Sequence, residues 1–229
     1  MDVSGIRKPY NSASEVLLET AMPRKNPHAI FDDWIKLACT TPAINEPNAM
    51  TIATVDARGR PTARMVLLKG YGDDGFRFFT NSRSQKGQNI AANPHVALVF
   101  YWEALNRSVR VEGRAEKLPA ADVDAYYAKR PRPSQIAAHV SERQSAPIGG
   151  REVLKERFEA LETKYAAVEA IPRPDFWNGY LVKPQRVEFW QGQSTRMHDR
   201  IVFSREVEEA EEKGWKSGED GWCYQRLEP

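Results

Sequence analysis

Arg196, His198 and Arg200 recur at alternate positions shortly after Trp190. If 196–200 is extended, a period of two sets all three on one face at steps of about 6.8 Å. Cationic donors side by side repel one another unless an anion or an electron-rich ring lies over them. The spacing therefore suggests a lined pocket for such a group, with a solvated basic stripe as the alternative. A second concentration of positive charge, Arg64, Lys69, Arg77, Arg83 and Lys86, ends in Ser82-Arg83-Ser84-Gln85-Lys86, which reads as a helix start. Free N–H groups and the positive end of a helix dipole would seat an anion there; an ordinary basic turn fits the spacing equally well. Thirdly, Tyr126 and Arg130 are four apart, on one face if helical, and Ser134 opens the next helix beyond Pro131 and Pro133. Hydroxyl, guanidinium and helix N-terminus converging on one point would cradle a phosphate. A surface arginine beside a proline-rich turn is the alternative.

Other chemistry is poorly supported. Gly70-Tyr71-Gly72-Asp73-Asp74-Gly75 fits GxGxxG, but a dinucleotide fingerprint needs a helix after it. Here the strand-like Phe76-Arg77-Phe78-Phe79-Thr80 follows, and Asp73-Asp74 would repel phosphate, so a hairpin turn is expected. No Ser/His/Asp triad or carboxylate pair stands out. His28, His95, His139 and His198 are scattered, so no metal site is expected. Cys39 and Cys223 form no disulfide framework, which implies a reducing compartment and a cytoplasmic location.

Several elements must position these residues. Asn26-Pro27 is a cap followed by a first-turn proline, and Ile30, Phe31, Trp34, Ile35 and Ala38 continue at helical spacing. Stretches 50–55, 62–69, 76–80, 95–102 and 107–117 read as five strands with short connections, hence antiparallel and closed or half closed as a barrel. In 107–117, Val109, Val111 and Ala115 share one face, with Arg110, Glu112, Arg114 and Glu116 on the other. Helices are expected at 120–129, 134–140 and 151–169, the last striped by Leu154, Phe158, Leu161, Tyr165 and Val168. Strands return at 177–190, 196–203 and 222–227.

Composition bounds the class. Of 229 residues 41% are hydrophobic, enough for a sizeable core, and 33 Lys+Arg against 31 Asp+Glu leave a formal charge of +2. Such near-neutrality argues against a nucleic-acid binder. No run approaches the ~20 apolar residues of a membrane span, and the polar N-terminus reads as an exposed arm rather than a secretory signal. The stretch 204–221 holds seven acids and three bases, so an anion site belongs elsewhere.

Taken together, Glu188-Phe189-Trp190-Gln191 and, four residues on, Arg196-Met197-His198-Asp199-Arg200 resemble the signature of the pyridoxine (pyridoxamine) 5′-phosphate oxidases. The likeness runs in order along the chain: Arg7-Lys8-Pro9-Tyr10, Glu46-Pro47-Asn48-Ala49-Met50, the stretch 63–70, Phe76 onward to Asn81, Val99-Phe100-Tyr101-Trp102, Arg110-Val111-Glu112-Gly113, Arg130-Pro131, Ser134-Gln135-Ile136 and Arg226-Leu227. The resemblance implies a mainly β, α+β fold of the FMN-binding split β-barrel type, working as a homodimer with FMN at the subunit interface. It implies an N-terminal arm (1–26) closing the site, a barrel core (27–175), and a C-terminal β segment (176–229) completing the site and the interface.

By the same resemblance, Arg64, Met65, Val66, Leu67, Phe79, Thr80, Lys86, Gln144, Ser145, Trp190 and Arg200 fall at FMN-binding positions. Lys69, Tyr126, Arg130 and Ser134 match residues that hold the substrate phosphate. Arg196 and His198 match catalytic residues over the substrate ring, and Arg7 and Tyr10 match the covering arm. Gln85 stands where an arginine is usual, Ser108 where a glutamine often contacts FMN, and an extra residue lies near Glu142-Arg143. The implied reaction oxidises pyridoxine 5′-phosphate or pyridoxamine 5′-phosphate by O2 to pyridoxal 5′-phosphate, releasing hydrogen peroxide and, from the amine, ammonia. Another split-barrel flavin reductase, or an idle FMN or pyridoxal phosphate carrier, would have no need of the Lys69, Tyr126, Arg130, Ser134, Arg196 and His198 set.

Overall fold

The computed structural model describes residues 1–5, 10, 16–205 and 214–229, so Arg7 and part of the acidic stretch lie outside the described residues. Helix α1 (Pro27–Thr40) starts at the predicted cap: the Asn26 side chain accepts from the His28 N–H at 2.8 Å, and Pro27 sits where no N–H is needed. Its apolar face, Ile30, Phe31, Trp34, Ile35 and Ala38, is buried. That face seats on a curled sheet. Phe31 meets Phe76, Phe100 and Tyr71 at ring distances of 4.9, 5.0 and 5.1 Å, and Trp34 meets Phe189 at 5.2 Å. Burying each such aromatic contributes roughly 2–3 kcal/mol.

The sheet begins with β1 (Ala49–Val55), β2 (Pro61–Leu67), β3 (Gly70–Gly72) and β4 (Gly75–Asn81); helix α2 (Gln85–Ala92) precedes β5 (His95–Trp102) and β6 (Arg107–Lys117). Three helices follow, α3 (Ala120–Ala128), α4 (Arg132–Val140) and α5 (Arg151–Tyr165), then β7 (Trp177–Gln191), β8 (Asp199–Ser204), β9 (Lys216–Ser217) and β10 (Cys223–Arg226). Strand order is β2-β1-β5-β6-β7-β8-β10-β9, with β4 set against β3 and β7. Among the described residues no ladder joins β2 to β4. The antiparallel sheet therefore curls without closing, as a split barrel does.

The spine is β7, which pairs with β6 along one edge; on the other it pairs first with β4 over Trp177–Val182 and then with β8 over Arg186–Gln191. Its two ends thus serve different surfaces. Register on β6 shifts between Glu112 and Gly113, and a Cβ on Gly113 would lie 2.1 Å from the Lys183 carbonyl oxygen. Only glycine fits that bulge.

The alternation expected for 107–117 is present, and Gly72 pairs with Gly75 around Asp73-Asp74, a hairpin rather than a dinucleotide loop. Four expectations are corrected. Helix α3 stops at Ala128, so Arg130 lies in the connection after it. Helix α4 starts at Arg132, with Pro131 as cap, which puts Ser134 inside its first turn. Helix α5 ends at Tyr165, and Leu154 and Val168 of its stripe are exposed, because that helix packs mainly on α4. Finally, β8 starts at Asp199, so 196–198 is not strand.

Candidate active site

A cleft of about 500 Å³ opens beside β2, β4 and the α3–α4 connection. Met65, Val66 and Leu67 of β2, then Lys69, line one side; Phe79 and Thr80 of β4 and Lys86 of α2 line another. Tyr126, Arg130, Ser134 and Gln144 complete it. Arg64 and Ser145 border an adjoining recess that shares Lys86. Eleven residues of the sequence-derived site thus meet here, with Arg64 and Ser145 next door.

Charge is left uncompensated in this cleft. The Arg64 Nη1 donates to Thr54 Oγ1 at 2.8 Å and Nη2 to Thr62 Oγ1 at 2.7 Å. Lys86 Nζ donates to Thr80 Oγ1 at 3.2 Å and to Ser84 Oγ and Gln144 Oε1 at 3.4 Å. Among the described residues, no carboxylate pairs with either cation. Burial, together with the neighbouring Arg64 charge, pulls the Lys86 ammonium below its usual pKa. Such a pair gains most when an anion arrives.

The second cation seat is Arg130. Its Cζ lies 4.7 Å from the Trp177 ring centre and its Nη1 is buried without a partner. Burial lowers its pKa. A guanidinium held by ring stacking, with a free N–H and the first turn of α4 beside it, is built to receive an anion. The rings are themselves stacked: Phe79 lies 3.9 Å from Tyr126 and 5.3 Å from Trp177, inclined by 12° and 9°. Gly179 pairs with Phe79 across the ladder, and a Cβ there would come within 2.7 Å of the Phe79 ring. Trp177 was not singled out from the sequence. Its role arises from the β4–β7 register, which no local spacing reveals.

Trp190, Arg196, His198, Arg200 and Tyr10 gather elsewhere. Trp177 and Trp190 mark opposite ends of the 15-residue β7, on the order of 40 Å of extended chain apart. Tyr10 packs edge-on against Trp190 at 6.0 Å and His198 at 5.4 Å, and Arg196 Cζ lies 5.5 Å from its ring centre. Arg200 Nε donates to Glu188 Oε1 at 2.8 Å, and Arg110 holds the other oxygen at 2.5 Å. Burial would raise the Glu188 carboxyl, but the two arginines outweigh it and hold its pKa down. With Tyr101 and Ser108, Arg200 and Trp190 line a second open cleft that shares no residue with the first.

The expected one-face alternation of Arg196, His198 and Arg200 does not hold. Arg196 lies in a turn at φ 65°, a left-handed conformation costing a non-glycine residue roughly 1–2 kcal/mol. His198 Nδ1 accepts from the Gln193 N–H at 3.0 Å, so its proton is on Nε2 and the ring is neutral. Burial and then the Arg196 charge hold its pKa below 6.5. A histidine with a depressed pKa stays neutral from its usual range upward, so the ring can donate through Nε2 there. Replacing His198 with Ala is expected to lower kcat/KM by about tenfold without changing the shape of the pH–rate profile above pH ~6.5. A lost limb in that profile would identify it as an essential base.

Two family profiles match the chain: pyridoxamine 5′-phosphate oxidase over residues 40–165, and the pyridoxine 5′-phosphate oxidase C-terminal dimerisation region over 177–229. The chain belongs to the pyridoxamine 5′-phosphate oxidase family. A pyridoxine/pyridoxamine 5′-phosphate oxidase of Bombyx mori is 49% identical over 232 residues, covering 100% of this chain and 90% of that protein. The pyridoxine-5′-phosphate oxidase of Bos taurus is 46% identical, covering 100% and 88%. The fold matches PhzG of Burkholderia lata 383, solved with tetrahydrophenazine-1-carboxylic acid, at a TM-score of 0.80 and 25% identity over 94% of this chain and 98% of that one. Arg64, Lys86 and Arg130 fall in the oxidase profile, and Trp190, Arg196, His198 and Arg200 in the dimerisation region.

Proposed function

We propose that the chain is a homodimeric, FMN-dependent oxidase of pyridoxine 5′-phosphate and pyridoxamine 5′-phosphate. The carrying observation is that the cleft and the recess adjoining it hold two separate uncompensated cation seats, Arg64 with Lys86 and Arg130 with its orphan Nη1. Cofactor and substrate each bring one phosphate. Arg64, Lys86, Thr80, Gln144 and Ser145 would hold the FMN phosphate and chain, with Met65, Val66, Leu67 and Phe79 beside them. Gln85 adds no charge where an arginine is usual, so Arg64 and Lys86 carry that seat. Lys69, Tyr126, Arg130 and Ser134 would hold the substrate phosphate.

Bound FMN would supply two-electron chemistry, accepting hydride from the substrate C4′ and delivering the electrons to O2. Pyridoxine 5′-phosphate and O2 become pyridoxal 5′-phosphate and hydrogen peroxide; with the amine, water also enters and ammonia leaves. The protein's task is orientation: a phosphate gripped at Arg130 fixes where C4′ lies, and no strong catalytic acid is needed. Arg196 and the neutral His198 would pin the ring and its oxygen substituent. Trp190 and Arg200 would contact FMN from the partner subunit, since one chain keeps them at the far end of β7 from the first cleft.

In this reading residues 1–26 cover the site, 27–175 bind the cofactor, and 176–229 complete the site and the interface. The contacts of Tyr10 with Trp190 and His198 support the covering role. Unpaired Cys39 and Cys223 support a cytoplasmic location, and among the described residues no helix is long and apolar enough to cross a membrane. Noncovalent binding predicts that denaturation releases all the flavin, one per chain, from a dimer that forms peroxide when given pyridoxine 5′-phosphate. Flavin retained on the denatured chain, or a fully active monomer, would contradict this.

A further inference from the structure

The turn that carries Arg196 and His198 is secured from outside itself. Asp199 opens β8 with its carboxylate buried, at 6% exposure. Three parts of the chain donate to it: Leu17 N–H to Oδ2 at 3.1 Å, Gln193 Nε2 to Oδ2 at 2.8 Å, and Arg226 Nη1 to Oδ1 at 2.6 Å. Gln193 then grips the turn with its backbone. Its N–H donates to His198 Nδ1 at 3.0 Å and its carbonyl accepts from the Arg196 N–H at 3.1 Å. Arg226 also donates to the Leu17 carbonyl at 2.6 Å and to Glu19 Oε2 at 2.8 Å.

A buried carboxylate that loses a donor is left with charge it cannot solvate, so a fully bonded one is a stiff joint. The turn needs one. Residues 194–197 are exposed, and Arg196 holds a left-handed backbone that its surroundings must enforce. The Gln193 side chain is the link from that turn to the stiff joint.

We propose that Asp199 is the positioning residue of the 193–198 turn, acting through Gln193 to fix Arg196 and the Nδ1-accepting ring of His198, and tying that turn to the 17–19 segment through the same carboxylate. This rests on the reading that Arg196 and His198 face the substrate. Asp199 itself touches neither substrate nor cofactor in that account.

The test compares Asp199→Asn, Gln193→Met and the double variant in the full-length dimer. Three quantities are read: FMN per chain, the anaerobic rate of flavin reduction by saturating pyridoxine 5′-phosphate, and the ring ¹⁵N shifts of His198, assigned with His198→Gln. Each single variant should slow reduction by about tenfold or more with FMN content unchanged, and His198 should lose its single Nε2–H tautomer. The double variant should be no slower than the slower single variant, since both break one path. If Asp199→Asn fails to fold, Gln193→Met decides alone, because it leaves the Leu17 and Arg226 bonds in place. Wild-type reduction rates with an unchanged tautomer would overturn the proposal, as would a rate loss matched by FMN loss. A wild-type protein that neither substrate reduces would instead reject the functional reading, while the tautomer measurement still decides the role of Asp199.

Discussion

Arg196→Ala should lower kcat/KM for pyridoxine 5′-phosphate by about 100-fold or more, ~2.7 kcal/mol of transition-state stabilisation, while FMN stays bound. The side chain is exposed and lies over Tyr10, so removing it leaves the core untouched. Its backbone sits at φ 65°, a conformation kept at an energetic cost, as expected where side-chain direction matters more than stability. Cofactor retention follows from separation: Arg64 and Lys86 line the recess beside the other cleft, and Arg200 is fixed by Glu188 independently of Arg196. Anaerobic stopped-flow measurement of flavin reduction checks this directly. Wild-type rates at comparable saturation, or FMN loss as the only defect, would remove Arg196 from the substrate ring.

Arg130→Ala should act on a different parameter. A charge-assisted contact to the substrate phosphate contributes about 2 kcal/mol, so KM should rise roughly 30-fold while kcat changes little. The buried, partnerless Nη1 is the reason to expect so much from one residue: the site already bears the desolvation of that group, and a phosphate bound there would relieve it. Arg130→Lys should recover only part of the loss, because an ammonium cannot both stack on Trp177 and present a fork of donors. Unphosphorylated pyridoxine should be a poor substrate for the parent protein and should be least affected by the substitution. Equal use of pyridoxine and its phosphate ester would show that Arg130 reads something else.

Much of this was legible in the sequence where local rules dominate. The Asn26-Pro27 start of α1, the 95–102 and 107–117 strands and the hairpin at 70–75 each rest on capping, alternation or turn chemistry within a few residues, and the structure has them in those places. The cation seats were visible as residue types at suggestive spacings, and the resemblance turned open alternatives into named expectations. What failed was the inference from a period of two. Arg196, His198 and Arg200 alternate as a strand would, yet a tight turn held by Gln193 and Asp199 occupies 193–198. Tertiary hydrogen bonds override the pattern there.

The division of the site into two clefts was beyond spacing arguments for a related reason. It depends on β7 running from Trp177 to Trp190 and exchanging β4 for β8 along one edge. Trp177, Gln193 and Asp199 gain their importance only once that register is known. The stripe of α5 misled in the opposite sense, since helical periodicity shows which face is apolar but not how much of it finds a partner.

The central claim, that this chain oxidises B6 phosphate esters with bound FMN, is tested most directly by an anaerobic titration of the purified dimer. Pyridoxine 5′-phosphate should bleach the flavin colour completely and yield one pyridoxal 5′-phosphate per FMN, and admitting O2 should restore the colour with one hydrogen peroxide released per flavin. A protein that binds no FMN, or whose flavin stays oxidised with both pyridoxine 5′-phosphate and pyridoxamine 5′-phosphate, would contradict the account.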